Sequence, residues 1–315
     1  MQLYYDLEQM PPLPSAPVVS VGNFDGVHLG HQTLMSTLAA RANALNCPAL
    51  ALTFHPHPLS LLRPDKQLNM IYSLEQRALL LSRFGAQIIL CLRFDQDLAG
   101  MSAEDFIRSI LVDKLKAREL VEGFNFNFGK NGQGNVEFLR QMSHKYNYVV
   151  HQVEPVIIDG APVSSSRVRK AISTGQMELA ARLLGRPYQI SGTVIHGQRR
   201  GAHLLGMPTA NLAIEPYQLL PPQGVYAARV QLENGQQKDA LFNLGINPTF
   251  GPLPEARLEA HLLDFSGNLY GQHLWVRPWR FLREERKFST TAELKEQMTQ
   301  DLEQARQALK IKGEL

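Results

Sequence analysis

Short apolar runs alternate with amphipathic stretches through the first half of the chain. The runs Pro17–Gly22, Ala49–Phe54, Gln87–Leu92, Glu119–Gly123 and Tyr148–Val153 read as strands. The stretches near residues 31–46, 74–84, 102–117 and 135–146 carry apolar positions at helical spacing. Strands alternating with helices predict βαβ units and a parallel sheet, and such sheets bind ligands at the carboxyl ends of their strands. The pattern changes near Leu184-Gly185-Arg186-Pro187. Six β-like runs follow without intervening helices: Tyr188–Ile195, Thr209–Ile214, Val225–Leu232, Asp239–Leu244, Arg257–Asp264 and His273–Arg277. Turn signals such as Glu233-Asn234-Gly235 separate them, which predicts a small antiparallel barrel or sandwich. A last helix begins at the capping-box pair Thr290 and Glu293. Its stripe of Leu294, Met298, Leu302, Ala305 and Leu309 is expected to pack on the barrel. The reading is two domains, 1–185 and 186–315.

Composition narrows the class. A chain of 315 residues, 44% hydrophobic and 19% charged, suits two folded domains and excludes a disordered one. A net charge of +3 over that length gives no footprint for nucleic acid. Cys47 and Cys91 stand apart and make no zinc set. The first seventeen residues lack the basic and apolar regions of a signal peptide, and no apolar run approaches the roughly 18 residues of a membrane span. The expectation is a cytoplasmic protein with no membrane contact and no evident obligate protein partner.

Candidate chemistry lies where the first strand meets the first helix, in Gly22-Asn23-Phe24-Asp25-Gly26-Val27-His28-Leu29-Gly30-His31. Gly22 and Gly26 allow a tight turn, and Gly30 allows close approach of a phosphate. His28 and His31, three residues apart, are expected on one side of the helix start. With the free N–H groups there they make a polyphosphate site, and imidazoles can stabilise charge that develops during displacement at phosphorus. Ser164-Ser165-Ser166-Arg167-Val168-Arg169 adds helix-capping serines and an arginine, Arg169, able to neutralise phosphate. Farther on, Thr209 and Asn211 lie two apart in an extended segment, so a hydroxyl and a carboxamide share one side. Hard oxygen donors of this kind suit Mg²⁺ on a nucleotide.

These motifs resemble a known family in order and spacing. Gly22–His31, Thr53–Pro58, Gly123–Gly129 and the serine-arginine stretch resemble bacterial FAD synthetases. Gly192–Gly197, Gly206–Leu212, Gly224–Tyr226, Asn243–Phe250, Glu259–Phe265, Leu269–Gly271 and Phe281–Phe288 resemble riboflavin kinase. The chain is thus similar throughout to the bacterial bifunctional riboflavin kinase/FAD synthetase family.

That resemblance implies a nucleotidyltransferase-like, Rossmann-like α/β domain followed by an antiparallel β-barrel with a terminal helix. It implies ATP-dependent phosphorylation of riboflavin to FMN, then transfer of AMP from ATP to FMN to give FAD and pyrophosphate. It places Gly22, Asn23, Phe24, Asp25, Gly30, Ser164, Ser165, Arg169, Gly197 and His203 at nucleotide or phosphate, and Asn125, Phe128 and Arg283 at flavin. Thr209 and Asn211 would position Mg²⁺ and the ATP phosphates, and Glu259 would be the base. The chain departs from the family in having Asn125 where Asp is frequent, Asn127 where Arg is common, Gly132 where a basic residue is usual, and Ser166 where Thr is. In the second half Ala202 stands for Gly, His203 for Arg and Met207 for Phe. Adenylyltransferases for pantetheine phosphate or nicotinamide mononucleotide lack a module like residues 187–288.

Overall fold

The computed structural model describes residues 1–63, 65, 68–196, 209–214, 217–247, 255–286 and 288–310. They form two compact units, Met1–Ser165 and Ser166–Leu315.

In the first unit, β1 (Gln2–Tyr4), β2 (Val18–Val21), β3 (Ala49–His55), β4 (Ile88–Arg93), β5 (Glu119–Gly123) and β8 (Val149–Val153) make one sheet in the order β1-β4-β3-β2-β5-β8. Every pairing in it is parallel. The chain moves outward from β2 through β3 to β4, then crosses back to lay β5 on the other side of β2. The carboxyl ends of β2 and β5 therefore flank a topological switch point, where open α/β sheets bind ligands. The intervening helices are α1 (Leu29–Ala44), α2 (Pro58–Leu62), α3 (Leu74–Arg83), α4 (Gln96–Gly100), α5 (Ala103–Asp105) and α6 (Val136–Tyr146). Two short strands, β6 (Asn127–Phe128) and β7 (Gly134–Asn135), pair after β5.

The interior of the sheet reads as near-continuous Val, Leu, Ile and Ala because both faces are covered. Val18, Leu38, Ala51 and Ile89 belong to the core on one face; Val19, Leu50, Leu90 and Leu120 belong to the core on the other. Two local features differ from the periodicity. The stretch expected as one helix over 102–117 is the short α5 running into a π-type segment, Phe106–Lys114. Its wider winding, with Leu115 N–H reaching Ile110 O, stacks Phe106, Ile110 or Leu111, and Leu115 on one buried face. The edge strand β1, too short for a pattern of its own, is created by its pairing with β4.

The second unit opens with most of α7 (Ser165–Ser173), then α8 (Met177–Leu184). The antiparallel barrel is expected from the turn-punctuated runs, and it is present as a closed ring in the order β11-β12-β15-β14-β13-β16. Its strands are β11 (Ile190–Ile195), β12 (Ala210–Ile214), β13 (Gly224–Gln231), β14 (Gln237–Asn247), β15 (Glu255–Leu262) and β16 (His273–Arg283). β9 (Ile157–Ile158) and β10 (Ala161–Pro162) form a small hairpin in the first unit. Inside the barrel Ile190, Leu212, Tyr226, Phe242, Ala260 and Val276 are buried. Outside it, Ala305, Ala308 and Leu309 of α9 (Thr291–Lys310) cover Val225, Ala227 and Leu241. Of the expected stripe, Leu302, Ala305 and Leu309 pack on the barrel, while the earlier turns of the helix bury Gln297 and Asp301.

Candidate functional sites

The turn after β2 is strained and tightly held. Gly26 has φ 81°, and so, unusually for residues with a Cβ, Phe24 has φ 49° and Val27 has φ 40°. Such positions cost about 1–3 kcal/mol each and persist only where their surroundings over-determine them. Those surroundings are visible. Phe24 and Val27 are buried in the core under α1. The Asp25 carboxylate, 1% exposed, is turned inward and accepts the N–H groups of Ile71 (3.1 and 3.3 Å) and Tyr72 (3.4 Å) before α3. The Asp25 carbonyl accepts the Ser165 hydroxyl at 2.8 Å, which joins the serine stretch to the glycine-rich turn. The Asn23 carbonyl accepts from the Thr53 hydroxyl at 3.3 Å and from Arg77 Nη1 at 2.5 Å.

His28 caps α1, and its Nδ1 accepts the His31 N–H at 3.4 Å. A ring accepting at Nδ1 carries its proton, when neutral, on Nε2. The His28 and His31 rings stack at 3.7 Å with an interplanar angle of 19°, and Phe24 meets His31 edge-on at 5.4 Å. A Cβ at Gly30 would come 3.2 Å from the His28 ring, so the ring would have to shift by a few tenths of an ångström to make room for it. The first turn of α1 carries no acidic residue, so the positive end of the helix dipole is uncancelled by its own side chains. An anion at this end meets two imidazoles and a helix N-terminus. Arg169 lies on α7, one turn beyond Ser165.

The residues expected at flavin separate. Phe128 is buried and stacks on Phe126 at 5.2 Å, with Phe106 and Phe138 nearby, so its ring is part of the core. Asn125 is exposed, and its carbonyl accepts from the Asn127 carboxamide at 2.9 Å.

Two groups that sequence patterning missed lie at the switch point. Arg77, on α3, is 1% exposed. Glu122, also 1% exposed, accepts the Val21 N–H through Oε1 at 2.8 Å. The β2–β5 ladder runs only through Val18↔Glu119 and Val19↔Leu120, so this carboxyl takes the place of a backbone acceptor where the strands part. Burial pushes its pKa well above the carboxylate range, and the hydrogen bond from Val21 only partly opposes that. An apolar-looking strand gives no signal that one of its members is a buried acid.

In the barrel, strand register assembles a polar row. Asn211 on β12 pairs with Glu259 on β15, and Glu259 pairs in turn with Asn243 on β14. All three are half-buried while their neighbours Leu212, Leu258 and Leu244 are buried, so the row lies on the face opposite the core. Directly paired residues in an antiparallel sheet hold their Cβ atoms about 4.5–5.5 Å apart, close enough to share one ligand. Asn243, not among the expected site residues, donates to Glu285 Oε1 at 2.8 Å.

Thr209 immediately precedes β12 and, with Val194, Ala260, Leu262, Leu269 and Tyr270, lines a cavity of about 130 Å³. Thr209, Asn211 and Glu259 offer a hydroxyl, a carboxamide and a carboxylate, a hard-oxygen set that suits Mg²⁺. No cluster of three or more His, Cys, Asp or Glu able to cage a metal occurs among the described residues. Arg283 is engaged elsewhere: its guanidinium bridges both Asp301 oxygens (2.7–3.1 Å), fastening α9 to the end of β16. Gly197 and His203 lie outside the described residues.

Two family models match separate stretches of the chain. The model of the FAD synthetase family matches residues 11–167, and that of the riboflavin kinase family matches residues 184–309. The chain is 38% identical over 306 residues to a bifunctional riboflavin kinase/FMN adenylyltransferase of Pseudomonas fluorescens, covering 97% of each. It is 35% identical to the protein of that name from Haemophilus influenzae, covering 97% of this chain and 98% of the relative. Its fold superposes with a TM-score of 0.86 on a crystal structure described as a macrolide-efflux protein from Streptococcus pneumoniae. Identity there is 31%, over 96% of this chain and 98% of the other. Among the described residues no helix is long and apolar enough to cross a membrane.

Proposed function

This chain belongs to the bifunctional riboflavin kinase/FMN adenylyltransferase family, and from that premise we propose how its residues divide the two reactions. It is an ATP-using enzyme of flavin-cofactor synthesis: riboflavin becomes FMN, and FMN with ATP becomes FAD and pyrophosphate. The functional division falls near residue 185, with 1–185 carrying adenylyl transfer and 186–315 the kinase. The enzyme works in the cytoplasm without an obligate protein partner.

In the first reaction Glu259 accepts the proton of the ribityl 5′-hydroxyl as that oxygen bonds to the γ-phosphorus of ATP and the bond from that phosphorus to ADP breaks. Thr209 and Asn211 hold Mg²⁺, which when bound neutralises charge on the ATP phosphates. Gly197 and His203 contact the nucleotide, and Arg283, whose guanidinium is held by Asp301, serves the flavin end by fastening α9 to β16 rather than by direct contact. In the second reaction a phosphate oxygen of FMN bonds to the α-phosphorus of a second ATP, and the bond to pyrophosphate breaks. His28 and His31 donate hydrogen bonds to the phosphate oxygens as charge develops. Gly22, Asn23, Phe24, Asp25 and Gly30 shape the turn, Ser164, Ser165 and Arg169 serve phosphate, and Asn125 serves the flavin, with Phe128 acting only as core packing beside it.

The observation that supports this reading most is the pairing of Asn211 with Glu259 in register, which sets a carboxamide beside a carboxylate. The experiment is turnover of riboflavin by the full chain with ATP and Mg²⁺, with flavins separated by chromatography. FMN should accumulate first and FAD after it. FAD formed from supplied FMN, with no FMN formed from riboflavin, would overturn the kinase half. A Mg²⁺-free reaction that proceeds at the same rate would overturn the metal assignment.

A further inference from the structure

Arg77 is the largest fully buried side chain among the described residues, and neither motif includes it. It rises from the first turns of α3 toward the strained turn after β2, where Nη1 donates to the Asn23 carbonyl at 2.5 Å and approaches the Thr53 hydroxyl at 3.4 Å. Its Nε is buried with no hydrogen-bond partner. Burial disfavours its charge, and the Asp25 carboxylate is the largest influence restoring it. A guanidinium nonetheless stays protonated in proteins, so a permanent cation is fixed behind the turn.

The bond to Asn23 has a directional consequence. In a trans peptide the C=O and the next N–H point opposite ways. Holding the Asn23 carbonyl toward α3 therefore turns the Phe24 N–H away from α3. It also removes a carbonyl dipole that, swung outward, would face an incoming phosphate with its negative end. The same peptide leads into Phe24, whose φ of 49° needs an external restraint to persist. Asp25 provides a second tether, to the segment that leads into the same helix, through the N–H groups of Ile71 and Tyr72. α3 is thus the frame on which the turn is stretched, and Arg77 is its only buried cation reaching the turn among the described residues.

We propose that Arg77 is a positioning residue for adenylyl transfer: its buried guanidinium pins the Asn23 carbonyl and so orients the glycine-rich turn and His28 toward the triphosphate of ATP. The inference rests on the assignment of that turn to ATP. It requires no contact between Arg77 and substrate. It concerns the ATP side of the reaction and leaves the FMN side untouched.

The test uses the full chain with Arg77→Lys and Arg77→Met, and His28→Ala as reference, measuring kcat and KM for ATP and for FMN in FAD formation. Riboflavin phosphorylation on the same chain serves as the control for folding. Lysine keeps the charge but loses the planar fork, so kcat/KM for ATP should fall on the order of tenfold, and methionine should cost on the order of a hundredfold. KM for FMN and the kinase rate should stay at wild-type values. Wild-type kinetics in Arg77→Lys would overturn the role of the fork, and Arg77→Met no worse than Arg77→Lys would overturn that of the charge. If Arg77→Met fails to fold, Arg77→Lys decides: equal rises in KM for ATP and FMN mean a general loosening and overturn the proposal. Should His28→Ala also retain full activity, the assignment of the turn itself fails; loss in His28→Ala beside wild-type Arg77 variants sinks the present inference alone.

Discussion

In the N-terminal unit ten consecutive residues, Gly22–His31, carry the glycine-rich turn, the helix cap and both imidazoles. In the barrel, Asn211, Glu259 and Asn243 come from three strands and meet only because the ladder sets them in one row. The first site presents main-chain groups and a helix end, and its accuracy depends on tethers behind the turn: Asp25, Ser165 and Arg77. The second presents side chains, and its accuracy depends on register, which a slip of one residue would invert to the other face of the sheet. A site of the first kind is damaged by loosening a loop, and one of the second kind by loosening a sheet.

The comparison breaks most directly at the base. Glu259→Gln keeps the shape of the row but removes the proposed proton acceptor, so riboflavin phosphorylation should fall by roughly a hundredfold to ten-thousandfold. FAD formation from supplied FMN should be unchanged. A chromatographic assay of both reactions on one preparation checks this, and equal loss of both would contradict separate sites.

The reciprocal change is His28→Ala or His31→Ala. Either should lower FAD formation about a hundredfold or more by removing a donor to the developing charge, with the kinase rate preserved. Because the rings stack at 3.7 Å, the double variant should lose less than the product of the two single losses. Strict additivity would show that the imidazoles act independently.

Asp301→Ala tests the dependence on register. Asp301 is 2% exposed and holds Arg283 through three contacts, with Gln297 donating to it at 2.8 Å. Removing it leaves a partly exposed guanidinium without its counter-charge, at a cost of about 2–3 kcal/mol, below the range for fully buried pairs. The barrel's thermal unfolding should move to lower temperature and kinase activity should fail first on heating, while FAD formation persists. Simultaneous loss of both activities would show that the two sites share one cooperative unit.

The smallest effects concern two glutamates of β5. Glu119 accepts Arg41 at 2.8 Å and His151 at 2.8 Å, and these partners hold its pKa below the ordinary value. Its stabilisation is present above the unfolded pKa of about 4.3 and fades as pH falls through the folded value. Glu122 has the opposite sign. Folding binds its proton, so it loses stability for the protein as pH rises from about 4.3 toward the raised folded pKa. Glu122→Gln should raise the thermal midpoint near pH 7 and flatten its alkaline decline, whereas Glu119→Gln should lower the midpoint near pH 7 and flatten the acid decline. Thermal melts between pH 3 and 9 distinguish the two, and a destabilised Glu122→Gln at pH 7 would mean that the carboxyl is ionised in place.

The chain's own order of residues determined the strand–helix alternation, the change of pattern near Gly185, the tight turn around Gly26, and the placing of His28 and His31 at a helix start. These depend on side-chain periodicity and on backbone sterics within a few residues, and both are legible in a linear string. The same holds for the part of the α9 stripe that docks on the barrel. Tertiary structure alone decided which strands became neighbours. That choice put β5 beside β2 and buried Glu122 at their parting, and it set Asn243 next to Glu259. It also sent Arg77, an unremarkable basic residue in an amphipathic helix, under the phosphate turn. In sequence a charged residue on a helix reads as solvent-facing, because burying a charge is costly unless a partner compensates it. The partners here, Asn23, Thr53 and Asp25, are supplied by other elements, and only the folded chain brings them within reach.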